Sequence, residues 1–177
     1  GEDGYIKKGY ENLLLQSNTF TNAAWDTYNL SSITGGEGGY DGSNDAWVIT
    51  KIGASGFVRQ NISQGGVSVF SVYAKRKDSD YIRFGFSGGS FSQCYFSLID
   101  GGSNEVNVLD SNSQNIGDGW WRLSVTLAKT ISNVIIYPAE SLDTSTGTSG
   151  SVYIQDAQLN QGLVAYPYLE TTTATVQ

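Results

Sequence analysis

The side chains best suited to chemistry in this sequence are Tyr73, Tyr81, Arg83, Tyr95, Arg122 and Gln155, with Tyr137 as a further member of the set. A tyrosine ring offers a flat face on which the C–H side of a pyranose stacks, and Arg or Gln forks hydrogen bonds to vicinal hydroxyls. Those are the elements of a sugar platform, with Tyr73, Arg83 and Arg122 at its centre. The same residue types are favoured on strands for β propensity and cross-strand packing alone. A second group, Asp41, Asn44 and Asp45 in YDGSNDAW, places oxygen donors in a Gly-containing loop, as a structural calcium would require. Loop Asp and Asn also cap turns through their own backbone, so both readings stand.

Catalysis has fewer materials. The chain has no His, and its lone Cys94 lies inside the apolar run SQCYFSL, where a buried small residue is expected in place of a nucleophile. Two carboxylates could still hydrolyse a glycosidic bond, but 17 acidic residues give many pairs and sequence spacing does not choose among them. No clustered Tyr, Arg and Gln phrase of a lyase kind is present. The expected class is a binding domain without catalysis and with no required cofactor beyond an optional structural calcium.

The formal charge of −7 argues against nucleic acid or an anionic bilayer as partner, since both select for basic clusters. Lys75-Arg76-Lys77, the one local basic run, is followed at once by Asp78 and Asp80 and reads as a strand-end turn. No apolar run approaches the roughly 20 residues of a membrane span, so no membrane insertion is expected. With 177 residues, one domain is expected, and one Cys excludes an internal disulfide.

These side chains must be positioned by strands. Gly117 to Leu127, GDGWWRLSVTL, is the clearest: Trp121, Leu123, Val125 and Leu127 fall on one face and Arg122, Ser124 and Thr126 on the other. The Gly-Asp-Gly turn ahead of it tolerates positive φ. Trp120 is read as the freer of the two Trp residues, lining the turn or an interface. Val67 to Lys75 sets Phe70, Val72 and Ala74 against Val69, Ser71, Tyr73 and Lys75. Tyr81 to Phe86 sets Ile82, Phe84 and Phe86 against Tyr81 and Arg83, and Cys94 to Leu98 does the same with Tyr95 and Ser97 opposite. Further strands are expected at 45–52, 57–62, 133–137 and 152–159, a brief strand and turn at 12–17, and a Gly-rich loop at 31–43. Residues 1–11 read as a linker from a longer polypeptide, 12–173 as the domain and 174–177 as a tail. Short strands at regular spacing without a helix signal predict an all-β fold, an antiparallel two-sheet β-sandwich of jelly-roll type. The polar back of these strands is expected to form one solvated face.

Four phrases, NLLLQSNTFTNAAW, FSVYAK, GDGWWRLSVTL and SVYIQDAQLNQGLVAYPYLETTT, occur in the order seen in a widespread domain of phage tail and virion proteins. The chain resembles that family over roughly residues 12 to 173. Gln155 stands where an aromatic is common in it, and Tyr168-Leu169-Glu170 replaces the usual ending. The resemblance implies a carbohydrate-binding-module-like jelly roll on a phage tail fibre or spike, facing host surface polysaccharide, with other virion proteins as partners and a homotrimeric state. It also implies that Asp156, on the last strand, is where related modules hold a structural calcium. A structural attachment or trimerisation module without glycan binding is the rival expectation, and a polysaccharide lyase or hydrolase is the third.

Overall fold

The computed structural model describes residues 10–177; residues 1–9, most of the expected linker, lie outside the described residues. Alternation of apolar and polar residues at period two, interrupted every few residues by Gly, Ser and Asn, leaves the chain one way to bury its apolar faces: two sheets set face to face. Among the described residues twelve strands do this: β1 (Asp26–Tyr28), β2 (Leu30–Glu37), β3 (Ala46–Lys51), β4 (Phe57–Gln64), β5 (Val67–Arg76), β6 (Tyr81–Phe86), β7 (Ser92–Ser97), β8 (Ser103–Val106), β9 (Asp110–Gly117), β10 (Trp120–Ala128), β11 (Ile131–Ala139) and β12 (Gly150–Gln161). They form two antiparallel six-stranded sheets, β1-β4-β11-β6-β7-β8 (the first sheet) and β2-β3-β12-β5-β10-β9 (the second). The chain crosses between the sheets repeatedly, the strand exchange of a jelly roll.

The expected inward faces are the inward faces. Phe70 from the second sheet meets Phe84 and Phe86 from the first at ring-centroid distances of 5.2 and 5.7 Å. Cys94, Phe96, Leu123, Val125 and Leu127 close around them. Cys94 is fully buried, and desolvation pushes its thiol up to about 12, so it behaves as a small core residue. Trp25 plugs one end against Phe20, 4.9 Å away. In the turn before β10, Gly117, Asp118 and Gly119 all have positive φ, as the sequence requires. Lys51 closes the other end: its side chain is buried, pairs with Glu140, and donates to the carbonyls of Pro138 and Ser145 at 3.2 and 3.3 Å.

Three expectations need correction. Residues 31–43 are not all loop, because Leu30–Glu37 pairs with β3 as an edge strand whose alternation is masked by Ser, Thr and Gly. Residues 12–17 form no strand of their own; Asn12 makes a single bridge to Val176, in the expected tail, while Leu13 donates to Leu159 O at 2.8 Å beside β12. Trp120 is not free, being 2% exposed on the outer side of the second sheet between Tyr40 and Tyr153, at 6.2 and 6.4 Å.

Candidate functional site

Pairing across the second sheet sets Gln155 on β12 beside Tyr73 on β5, Tyr73 beside Arg122 on β10, and Arg122 beside Gln114 on β9. Three of the residues singled out in the sequence therefore share one row on one outer face. The expected solvated surface is not what surrounds them. Residues 162–172 run back over the lower part of this face, and Arg122 donates there to the carbonyl of Tyr166, as does Gln158 at 2.9 Å. Beneath that segment Ser71, Gln158 and Asn160 are buried. Above it, the 38–45 loop folds down so that Tyr40 stacks on Tyr73, with centroids 3.6 Å apart and planes 5° from parallel. The Arg122 guanidinium stands 5.4 Å from the Tyr73 ring. Tyr73 is thereby held between a ring and a cation and does not offer an open stacking face.

Gln155 fixes the loop. It is 1% exposed, accepts from the Tyr40 backbone N–H at 3.2 Å, and donates to Asp41 Oδ1 and Ser43 Oγ at 3.2 and 3.4 Å. A Cβ on Gly39 would fall 2.4 Å from Gln155 Oε1, so only glycine admits the amide this closely. Just after Gln155 the register against β5 slips, and Asp156 takes φ +57°. This bulge, at a residue type that tolerates the left-handed region, re-aims the carboxylate toward the loop. Its Oδ2 accepts the Tyr40 phenol at 2.8 Å, and its backbone N–H donates to Asn18 Oδ1 at 2.9 Å.

The result is a polar cavity of about 560 Å³ between the loop and the 162–172 segment. Tyr40, Tyr73, Arg122, Gln155 and Asp156 form its floor, Asp41 and Asp45 one rim, and Tyr168 and Glu170 the other. Burial pushes the Asp156 carboxyl up to about 6, against the opposing Tyr40 hydrogen bond and with the help of Asp41, Glu170 and Asp45. Burial also raises the Tyr40 and Tyr168 phenols, the latter paired with Ser17 Oγ at 2.7 Å, so both remain protonated donors. Asp41 goes the other way: its partial burial is outweighed by the hydrogen bonds from Ser43 and Gln155, which hold it low. The cavity thus offers phenol and guanidinium donors, carboxylate acceptors and ring edges, the mixture that vicinal hydroxyls satisfy.

Of the oxygen donors considered for calcium, Asp41, Asp45 and Asp156 reach this cavity, while Asn44 is exposed outside its lining. Asp41 Oδ1 is engaged by Ser43 and Gln155 and Asp156 Oδ2 by Tyr40. Among the described residues no three His, Cys, Asp or Glu side chains stand together as a cation site. The remaining candidates are elsewhere. Arg83 and Tyr95 lie on the outer face of the first sheet, as does Tyr137, and Tyr81 lines a separate cleft with Asp78, Asp80 and Glu140. Alternation assigns a side but not a sheet, which is why one expected platform became two faces. Tyr40, Tyr168, Glu170 and Asn18 were not anticipated. Tyr40 stands at the head of the very YDGSND phrase read for its oxygens, but its stacking on Tyr73 is a long-range contact that leaves no local pattern.

No protein-family model matches the chain, and no curated protein matches it. Solved structures do. One is the TmCBM61 module in complex with β-1,4-galactotriose, at TM-score 0.47 and 12% identity over 86% of this chain and 100% of that one. Another is the CBM22-1–GH10 portion of Clostridium thermocellum xylanase 10B complexed with xylohexaose, at 0.48 and 14% over 86% of this chain and 29% of that one. A third is the enzymatically active domain of tailspike protein 4 of bacteriophage CBA120, at 0.47 and 12% over 84% and 21%. At such scores and identities the likeness carries nothing about ligand, and the sandwich stands on its own strands.

Proposed function

We propose that this chain is a non-catalytic glycan-binding domain and that the cavity on the second sheet is its binding site. The observation that carries the reading is the convergence of Tyr40, Tyr73, Arg122 and the Gln155-Asp156 pair, from four separate parts of the sequence, into one polar cavity large enough for a sugar unit. The order of phrases over residues 12–173 supports the further proposal that the ligand is host surface polysaccharide and that the domain belongs to a phage virion, as a trimer. The Tyr40 phenol is engaged by Asp156 at 2.8 Å and the Tyr168 phenol by Ser17 at 2.7 Å, which speaks against either as a tyrosine base.

The test is a glycan array followed by calorimetry on the best ligands, with Asp45→Ala and Glu170→Ala. Both residues are exposed, so folding should be untouched while affinity falls roughly fivefold to tenfold. Unchanged affinity in both variants would remove the cavity from consideration. Release of reducing ends from any bound glycan would replace binding by hydrolysis.

A second reading draws on exposed apolar side chains. Leu109, Ile116, Leu163 and Val164 are 54, 37, 68 and 64% exposed, and Leu163 and Val164 share a cleft with edge strand β9. Such exposure at an edge favours packing against a neighbouring virion subunit. Light scattering of Leu163→Ser with Val164→Ser would dissociate a trimer built through this edge and leave any other assembly intact.

A further inference from the structure

The outer face of the first sheet carries a constellation that the cavity does not use. Across its six strands Tyr28, Phe57, Tyr137, Arg83, Tyr95 and Asn104 fall into one line. Tyr28, 54% exposed, stacks on Phe57 at 5.6 Å, and Phe57 meets Tyr137 edge-on at 5.6 Å. Arg83 then lies 4.4 Å from the Tyr137 ring, 5.5 Å from Tyr95 and 5.4 Å from Phe91, a half-exposed ring that folds across Gly85. Three rings thus hold one guanidinium in place.

Its partners are neutral. Arg83 Nε and Nη2 donate to Gln93 Oε1 at 3.0 and 2.6 Å, and Nη1 donates to Ser145 Oγ at 3.2 Å. Five N–H donors less these three leaves two. Among the described residues Arg83 has no carboxylate partner: the other arginine on this face, Arg59, is paired with Asp26, and Glu140, in the stretch that carries Ser145, is taken by Lys51. In a chain of net charge −7, an uncompensated cation is held over the buried Tyr95 and Tyr137 rings and beside the exposed Phe91.

We propose that this face is a second carbohydrate site, separate from the cavity, and that it takes a uronic-acid unit of an acidic polysaccharide. The sugar carboxylate accepts the two free Arg83 N–H groups, a charge-assisted pair next to desolvating rings. Phe91 flanks the ring of that sugar. Strands about 4.8 Å apart match the advance of a pyranose along its chain, so neighbouring sugars lie over successive strands toward Phe57 and Tyr28. This site has a ligand class opposite to that of the acid-rimmed cavity and does not depend on it.

The test titrates the full chain with polygalacturonate and with a neutral galactan of matched length, at low and high ionic strength. Polygalacturonate should bind saturably and weaken with salt. Arg83→Gln should lower that affinity roughly tenfold or more, Phe91→Ala several-fold, and Asp45→Ala with Glu170→Ala not at all. Phe91→Ala keeps the test open should Arg83→Gln fail to fold. Absence of polygalacturonate binding, or binding unaffected by either variant, overturns the proposal. So does equal binding of a sulfated glucan, since the site would then read charge and not a uronate. Galactan binding that depends on Asp45 and Glu170, with no polygalacturonate binding, would sink this site and leave the cavity standing; the reverse pattern would do the opposite.

Discussion

The two outer faces of the sandwich begin alike and end differently. Each carries a row of Tyr, Arg and Gln or Asn side chains set by strand pairing. On the second sheet the row is built over by the 38–45 loop and the 162–172 segment, and its side chains are consumed in holding those segments down. On the first sheet the row packs ring on ring and guanidinium on ring, with Tyr95 and Tyr137 buried, and is tied to the 140–149 segment only through Arg83 to Ser145 and Asn104 to Leu142, so that Tyr28 and Phe91 stay open. One row becomes the floor of a cavity and the other a platform. The difference lies in the bulge at Asp156, which turns a carboxylate toward the loop and gives Tyr40 an anchor.

The contrast can be broken most sharply at its anchors. Gln155→Leu removes the buried amide that the half-buried Tyr40 N–H, Ser43 and the exposed Asp41 share, and should cost about 2 kcal/mol in urea denaturation. Gln93→Leu, the corresponding change on the platform, should cost about 1 kcal/mol because its partner Arg83 is half-exposed. Equal losses would mean that the first face is as tightly built as the second.

Next comes Asp156. Burial holds its folded pKa at about 6, above the ordinary 3.8, so between those values the folded state binds more protons than the unfolded chain and stability falls as pH rises. Asp156→Asn keeps a residue suited to φ +57° and an acceptor for Tyr40. It should be more stable than the parent by about 2 kcal/mol above pH 7, with no difference near pH 3. A constant difference at all pH values would contradict the burial of this carboxyl.

Tyr40→Phe is a smaller change, about 1 kcal/mol. Because the phenol stabilises the charged carboxylate, its loss should raise the Asp156 pKa further, visible in a 13C NMR titration of the carboxyl. The smallest expected effect is Phe91→Ala on the platform, less than about 1 kcal/mol in melting experiments, since the ring is 39% exposed.

Much of the fold was legible because it depends on local alternation. Ile82, Phe84 and Phe86 face inward, as do Leu123, Val125 and Leu127, and the Gly117–Asp118–Gly119 turn has its positive φ values. What alternation leaves open is which sheet a strand joins, since pairing partners such as β5 and β12 lie some eighty residues apart. Tyr73 and Arg83 look equivalent in sequence and sit on opposite outer faces. Likewise the fate of Trp120 turned on Tyr40, a loop residue whose position is fixed by Gln155 and Asp156 from the far end of the chain. Asp156 itself was noted for its oxygen and not for the bulge, which appears only when β12 is paired with β5.

The most direct test of a glycan site on the second sheet is a 1H–15N NMR titration of the folded chain with the oligosaccharides selected on the array. Saturable shifts should cluster at Tyr40, Asp41, Gln155, Asp156, Tyr168 and Glu170. Saturable shifts that spare all six for every selected ligand, or no shifts from a folded protein, would contradict it.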